Sequence, residues 1–95
     1  MGAPTVTRVS YGIRSSGGTD ATNLATERIN VESFILVATT GADTATIKDY
    51  AGNAVLVLKG PATAGQFCQI TWEAPLDGLN VALSTTNAVF IAILE

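Results

Sequence analysis

The 95-residue sequence predicts an all-β fold, a single compact antiparallel β-sandwich of about seven strands. Short segments alternate apolar and polar residues with a period of two, the side-chain pattern of half-buried strands. Clusters of Gly, Asn, Asp and Thr separate these segments, and no segment keeps a helical period. Because a chain this short is one domain by size, we expect residues 1–95 to form one sandwich with jelly-roll or immunoglobulin-like connectivity.

The first predicted strand covers residues 8–14, ahead of a long loop. Every second residue in this strand is apolar, as on the buried face of a half-buried strand. Segment 15–25 is polar and contains two adjacent glycines, which predicts a loop long enough to be functional or mobile. Residues 1–6 are predicted as an N-terminal arm. The apolar residues expected to share one face of the first strand are Val9, Tyr11 and Ile13.

Three strands are predicted in the middle of the chain, over residues 27–37, 44–49 and 55–58. The first of them becomes apolar on both faces over residues 34–37, which indicates that this end of the strand is covered on both sides. The other two form a hairpin, because the intervening Ala51-Gly52-Asn53 contains residues that adopt positive φ at low cost.

The last third of the chain predicts three more strands, over residues 68–72, 79–83 and 88–94. Pro75 interrupts the sequence between the first two, because proline cannot donate a hydrogen bond to a neighbouring strand. The final strand is apolar on both faces, although the outer face of a two-layer sandwich is normally polar. We therefore expect residues 88–94 to be covered either by a loop or by a partner.

The composition predicts that this domain gains stability by association. Only 14% of its residues are charged, against about 25% in an ordinary soluble domain. Cys68 is the only cysteine and histidine is absent, so neither an internal disulfide nor a structural zinc site can form. Small domains without these supports usually oligomerise, and we expect a homo-oligomer here.

Charge and hydropathy argue against nucleic-acid and membrane partners. The net charge is −3, and the five basic residues are scattered along the chain. The longest apolar runs are far shorter than the ~18 to 20 residues that span a bilayer. The sequence starts without the basic and apolar segments of a secretory signal, and a lone cysteine fits a reducing compartment, so we expect synthesis in a cytosol.

No catalytic, cofactor-binding or metal-binding residues are predicted. The absence of histidine removes the commonest general base, and Cys68 alternates with Ile70 and Trp72 on a side that we expect to face the core. One set of oxygen donors was considered for calcium, but its spacing matches no known loop motif. That set is Asp43, Asp49 and Asn53.

The order of strand and turn signals between residues 35 and 94 is distinctive. It consists of an apolar strand and turn over 35–43, a strand leading into Ala51-Gly52-Asn53, a Gly/Pro/Ala connection, the segment 72–79 with Pro75, and a final apolar strand. This order resembles the small β-sandwich structural proteins of tailed bacteriophages, which include capsid decoration, or cement, proteins. The resemblance implies a protein without an active site that binds the virion surface by an arm or a sandwich edge, often as a trimer.

The composition predicts a non-enzymatic building block of an assembly, and the resemblance implies that it is a cement protein on the outer capsid surface, which binds the major capsid protein or another virion protein and stabilises the shell. An acidic chain suits the outside of a capsid better than its DNA-facing lumen. The alternative is a carbohydrate-binding or adhesin-like module of a tail or surface structure that uses Tyr50, whereas Trp72 is expected to pack in the core. The residues predicted at the interface are Thr5, Val6, Thr19, Asp20, Asn23, Leu24, Phe90, Ala92 and Leu94.

Overall fold

A computed structural model describes residues 2–38, 43–60, 66–86 and 88–95, and in these ranges all regular structure is β-strand. The all-β prediction is confirmed, and the seven described strands join in one antiparallel sheet. The predicted turn residues 39–42, 61–65 and 87 lie outside the described ranges. The strands are β1 (Thr5–Val9), β2 (Gly12–Ser16), β3 (Thr22–Ala38), β4 (Thr44–Lys48), β5 (Ala54–Lys59), β6 (Gln66–Leu83) and β7 (Val89–Leu94).

Two long strands organise the sheet, whose strand order is β1-β2-β7-β3-β6-β4-β5. β3 and β6 pair with each other along almost their whole length. Three register shifts within residues 23–33 of β3 interrupt this pairing. Such irregularities bend a strand and increase its twist. Each of the two strands therefore contributes to both layers of a sandwich.

The two layers have the connectivity of a jelly roll. The first layer contains β1, β2, β7, residues 31–38 of β3 and residues 66–74 of β6. The second contains residues 22–30 of β3, residues 75–83 of β6, β4 and β5. β3 and β6 each supply one segment to each layer. Without β1, each layer is therefore a four-stranded sheet, and the chain passes back and forth between the two layers, as in a jelly roll. β1 adds a fifth strand to the first layer.

One hydrophobic core lies between the layers and receives side chains from both. Phe34 and Phe90 from the first layer stack with ring centroids 5.8 Å apart, and Trp72 lies 5.7 Å from Phe34. The second layer contributes Ile47 and Leu58, both of which are fully buried. These residues establish which side of each strand faces inward.

The first predicted strand is a hairpin in the structure. Val9 pairs with Gly12, and Ser10 and Tyr11 form the turn between β1 and β2. A two-residue turn reverses the chain without breaking the apolar alternation in the sequence, so the alternation gave no sign of it. The prediction that Val9, Tyr11 and Ile13 share one face is therefore wrong: Ile13 is fully buried, whereas Tyr11 is exposed in the turn.

The connection predicted over residues 15–25 is shorter in the structure. Ser15 and Ser16 complete β2 and β3 begins at Thr22, which leaves only residues 17–21 between the strands. Ser15 is buried opposite Phe90, where a small side chain fits. The last two residues of the predicted N-terminal arm, at positions 5 and 6, belong to β1.

β6 runs through Pro75, where the sequence predicted a break between two strands. Pro75 pairs with Asn30 of β3, and no described strand pairs with its other side, because the pairing with β4 covers only residues 80–83. The missing N–H is tolerated at such a position. Glu73 and Gly78 have positive φ on either side of it, where the strand passes between layers. The structure joins two predicted strands into β6 and divides one predicted strand into β1 and β2, so the number of strands remains seven.

Candidate interaction surface

The outer side of the first layer carries a concentration of apolar side chains. Directly opposed residues of paired strands point to the same side, and Ile13, Phe34 and Phe90 are buried on the inner side. The alternate residues of these strands therefore point outward. They form three rows across the layer: Phe67–Val37–Val89–Ser16–Thr5, Gln69–Ile35–Ile91–Arg14–Thr7 and Thr71–Ser33–Ile93–Gly12–Val9.

Seven of these fifteen outward positions are occupied by large apolar side chains, which we call the outer apolar face. Phe67 on β6 is 60% exposed, and the other members are half-buried. β7 makes its main contacts with β2 and β3, its neighbours in the sheet. Large contiguous apolar patches on small domains are often contact surfaces, which makes this face the candidate interaction surface. The outer apolar face consists of Val9, Ile35, Val37, Phe67, Val89, Ile91 and Ile93.

The outer side of the second layer is polar by comparison. Its outward residues follow from the pairing of β3, β6, β4 and β5, and Val57 is the one large apolar side chain among them. Two lysines and three asparagines lie in the same rows. The sandwich therefore has one outer face suited to water and one suited to another apolar surface. The rows of the second layer are Asn23–Asn80–Lys48–Ala54, Ala82–Thr46–Val57, Thr44–Lys59, Arg28–Asp77 and Asn30–Pro75.

Arg14 is the only charged residue in the three rows of the first layer. It lies opposite Ile91 of β7 and Thr7 of β1. The ion pairs of the described residues involve Arg8 with Glu27 and Arg28 with Asp77, so Arg14 has no carboxylate partner within the described chain. The face thus presents a single positive charge beside apolar side chains.

Three of the predicted interface residues are part of the core. Phe90, Ala92 and Leu24 are at most 5% exposed, so their side chains are not available to a partner. Leu94 is half-buried and packs against the core. The sequence pattern showed that β7 is apolar on both faces but carried no signal for which face points inward. The residues of β7 that face outward are Val89, Ile91 and Ile93.

The N-terminal segment and the connection 17–21 lie in contact with each other. The backbone N–H of Asp20 donates to the carbonyl oxygen of Gly2 at 3.0 Å. Gly18 is buried so closely against residues 2–4 that an added Cβ would lie 2.4 Å from the Gly2 carbonyl oxygen. The structure therefore brings together two segments predicted separately as an arm and a loop. Four predicted interface residues belong to this region: Thr5, Val6, Thr19 and Asp20.

Asn23 lies apart from that region, on the polar outer side of the second layer. Its side-chain oxygen accepts a hydrogen bond from the Asn80 amide at 3.0 Å. Both side chains thereby satisfy part of their hydrogen-bonding capacity within the sheet. Asn23 is exposed, but it is not continuous with the outer apolar face.

Asp49 organises the turn between β4 and β5. Its carboxylate accepts hydrogen bonds from the backbone N–H of Asn53 at 2.8 Å and from the Asn53 side-chain amide at 3.1 Å. These hydrogen bonds from Asn53 lower the pKa of Asp49 below its ordinary value of 3.8. Asp43 precedes the opposite end of β4, about 20 Å away along an extended strand. The three residues considered for calcium therefore cannot surround one ion.

Cys68 and Trp72 face the inner side of β6, as the sequence predicted. Both are half-buried and pack against the core. The Cys68 thiol donates to the carbonyl oxygen of Lys59 at 3.2 Å. Burial raises the pKa of the Cys68 thiol above its ordinary value of 9.0. The thiol is therefore protonated near neutral pH.

Tyr50 is the most exposed tyrosine, with 57% of its surface accessible in the turn after β4. Its backbone N–H donates to the carbonyl oxygen of Asp77 at 2.9 Å. The described ranges contain no ligand-sized pocket and no cluster of three metal-ligating side chains. No helix in that part of the chain is long and apolar enough to cross a membrane.

Ile35 and Val37 of β3 and Phe67 of β6 complete the outer apolar face, and none of them is among the interface residues predicted from the sequence. Ile35 and Val37 lie in the run 34–37, whose two-sided apolar character was noted, and Phe67 directly precedes the strand predicted over 68–72. The signal in the sequence is that the runs 34–37 and 88–94 are both apolar on two faces. When β3 and β7 pair, these runs become neighbours and their outward residues lie in one face. Strand pairing between residues more than 50 positions apart is not encoded locally, so the sequence pattern could not supply it.

No protein-family model matches this chain, and no curated protein sequence is significantly similar to it.

Proposed function

We propose that this chain is a non-enzymatic building block of a larger protein assembly and that it docks through its outer apolar face. The observation that carries the proposal is the difference between the two outer sides of the sandwich: one has seven large apolar residues in its rows, and the other has Val57 alone. Both outer sides of a free sandwich would be expected to be polar. Burying the apolar side stabilises a complex by about 25 cal/mol per Å², less the cost of association.

In its specific form, the proposal is a cement protein on the outer capsid surface of a tailed bacteriophage. The resemblance over residues 35–94 supports it, as do the net charge of −3 and the scattered basic residues, which disfavour a DNA-facing position. The bound partner would be the major capsid protein or another virion protein. The same resemblance favours a homo-oligomer, with a trimer as the common form in that class of protein.

The chemistry of the face specifies what the partner surface should offer. Apolar side chains of the partner would cover Ile91 and its neighbours, and a carboxylate would pair with Arg14, which has no such partner within the described chain. Residues 2–4 and the connection 17–21 lie beside the Thr5 end of the face and would extend the contact. A hydrogen bond between Arg14 and a carboxylate of the partner, removed from water in the contact, contributes about 1.5 to 3 kcal/mol.

The test uses shells assembled from the major capsid protein encoded in the same genome. The purified chain is mixed with expanded shells lacking it, and bound protein is measured by co-sedimentation over a range of concentrations. We expect saturable binding and a rise in the temperature at which the shells disassemble. Absence of binding, or binding that leaves the shells no more stable, would contradict the cement function.

A carbohydrate-binding module remains the second candidate, on the observation that Tyr50 is 57% exposed at a turn. The hydrogen bond to Asp77 holds its backbone in the turn, and an exposed ring at this position could stack on a sugar. A glycan array tests this function directly. Binding that is lost in Tyr50→Ala would support it, and an array without hits would dispose of it.

A further inference from the structure

The free edge of the first layer at β6 points to a second interaction, which concerns copies of this chain. Residues 66–74 of β6 pair with β3 on one side, while the pairing of β6 with β4 covers only residues 80–83. On the other side of residues 66–74 no described strand is paired. Within the described ranges the backbone N–H and C=O groups on that side have no strand partner, which makes them candidates for pairing with another strand.

This edge lacks the features that normally prevent strands from pairing between molecules. Residues 66–72 contain no charged residue and no proline, and the register of residues 66–71 with β3 is regular. Charged side chains, prolines and bulges are the usual protections of an exposed edge. The first charge is Glu73, whose positive φ ends the regular stretch. The uncharged edge is about 23 Å long, at 3.3 Å per residue.

The other edges of the two layers are protected. β1 follows Pro4 and carries Arg8, which pairs with Glu27 of β3 at 3.4 Å. The edge formed by residues 22–30 of β3 contains charged residues and two register shifts. β5 ends in Lys59, and Lys48 lies in the neighbouring strand. Among the described strands, residues 66–72 are the one edge without such protection.

Large apolar side chains are exposed on both sides of this edge. Phe67 points to the outer side and is 60% exposed, and Ile70 points to the inner side and is 38% exposed. A strand added beside β6 would cover both residues at once, because its own side chains alternate between the same two sides. A partner that docked only on the outer apolar face would leave Ile70 uncovered.

We propose that residues 66–72 of β6 pair antiparallel with the same residues of a second copy around a two-fold axis. The outward residues of one copy then lie beside those of the other: Phe67, Gln69 and Thr71 face Thr71, Gln69 and Phe67. The distribution of charge favours this arrangement over a parallel one. Antiparallel pairing places the two Glu73 carboxylates at opposite ends, about 26 Å apart at 3.3 Å per residue, whereas parallel pairing places them side by side, which is destabilising.

The paired copies form one continuous ten-stranded layer, with the outer apolar faces of both copies on the same side. This two-fold contact is self-complementary, the commonest kind in homo-oligomers. It is independent of what covers the outer apolar face, so its failure would leave the docking proposal intact. It predicts a dimer in place of the trimer that the resemblance implies.

Sedimentation equilibrium of the purified chain tests the contact with a matched pair of variants. Phe67 and Val57 are both 60% exposed and both point outward from an edge strand. We expect a dimer for the unmodified chain and for Val57→Lys. Phe67→Lys should raise the dimer dissociation constant at least about tenfold, equivalent to 1.4 kcal/mol. A monomer, a trimer or equal weakening by the two variants would overturn the proposal.

Cross-linking tests the position of the axis. In a Cys68→Ser background, Gln69→Cys should form an intermolecular disulfide on mild oxidation, because the two copies of residue 69 lie opposite each other with Cβ atoms close together. Thr46→Cys, on the outer side of the second layer, and Ile91→Cys, in the centre of the outer apolar face, should remain monomeric on denaturing gels. No cross-link at residue 69, or an equally efficient one at residue 91, would contradict edge pairing.

Discussion

Phe90 and Ile91 are neighbours in β7 that point in opposite directions, Phe90 into the core and Ile91 onto the outer apolar face. Phe90 is fully buried and stacks on Phe34 at 5.8 Å, whereas Ile91 is half-buried between Ile35 and Arg14 of the adjacent strands. Sequence hydropathy treats the two residues alike. Their roles are separate: one residue stabilises the fold, and the other is available to a partner.

This difference predicts unequal effects of truncation on stability. Phe90→Ala should lower the free energy of unfolding by about 3 to 5 kcal/mol, because it removes a buried aromatic ring and leaves a cavity. Ile91→Ala should lower the free energy of unfolding by only about 1 kcal/mol, because the Ile91 side chain lies on the outer side and is only half-buried. Urea unfolding followed by tryptophan fluorescence measures both. Equal losses would contradict the assignment of inner and outer faces.

Gly78 should be far less tolerant of substitution than Gly52, although both have positive φ. An added Cβ at Gly78 would lie 2.4 Å from the Cβ of Tyr50, whereas Gly52 faces open space. Gly52→Ala should therefore cost only the left-handed backbone strain, about 1 to 2 kcal/mol. Gly78→Ala should cost clearly more, because the turn after β4 must also move. Thermal unfolding of the two variants compares them, and equal shifts in Tm would refute the close contact.

The Asp49 carboxylate should make the β4–β5 turn sensitive to acid. Hydrogen bonds from Asn53 lower the pKa of Asp49 in the folded chain, so the folded state binds its proton less readily than the unfolded state. The resulting stabilisation is present above the unfolded value of about 3.8 and is lost as pH falls through the lower, folded pKa. Asp49→Ala should be less stable than the unmodified chain at pH 6, and this difference should shrink below pH 3. A pH-independent difference in urea midpoint would contradict this account.

Cys68 should react slowly with thiol reagents while the chain is folded. Burial raises its pKa, and its thiol donates to the Lys59 carbonyl oxygen, so little thiolate is present near neutral pH. We expect Ellman's reagent at pH 8 to modify the folded chain at least about tenfold more slowly than the urea-unfolded chain. Equal rates would show that the thiol is exposed and that the inner side of this edge is open to solvent.

Much of the fold could be predicted from local pattern. The strands β4, β5 and β7, the hairpin around Gly52 and the inward orientation of Cys68 follow from alternation and turn residues. The hairpin at Ser10 and Tyr11 could not be predicted, because a two-residue turn leaves the alternation unchanged. β6 continues through Pro75 because the side of the strand without a paired neighbour does not need the missing N–H. Which side of a strand is unpaired depends on the assembled sheet and not on the local sequence.

The candidate site was predictable only in outline. Residues 88–94 are apolar on both faces, and in the structure Val89, Ile91 and Ile93 occupy the outer one. The choice of Phe90 and Ala92 as contact residues selected the inner side of the same strand. The long-range pairing of β7 with β3 sets which β7 side chains point outward and places Ile35 beside Ile91 in one face. No local spacing in the sequence carries that information.

The central claim is that the outer apolar face, and not the polar side of the second layer, contacts the larger assembly. It is tested most directly by co-sedimentation of Ile91→Lys and Thr46→Lys with shells of the major capsid protein encoded in the same genome. Each variant places a lysine at the centre of one outer side, and an unpaired charge buried in a contact is strongly destabilising. We predict that Thr46→Lys binds as the unmodified chain does and that Ile91→Lys, folded by circular dichroism, binds at least about 100-fold more weakly, equivalent to 2.7 kcal/mol. Unchanged binding of Ile91→Lys, or loss of binding in Thr46→Lys, would contradict the claim.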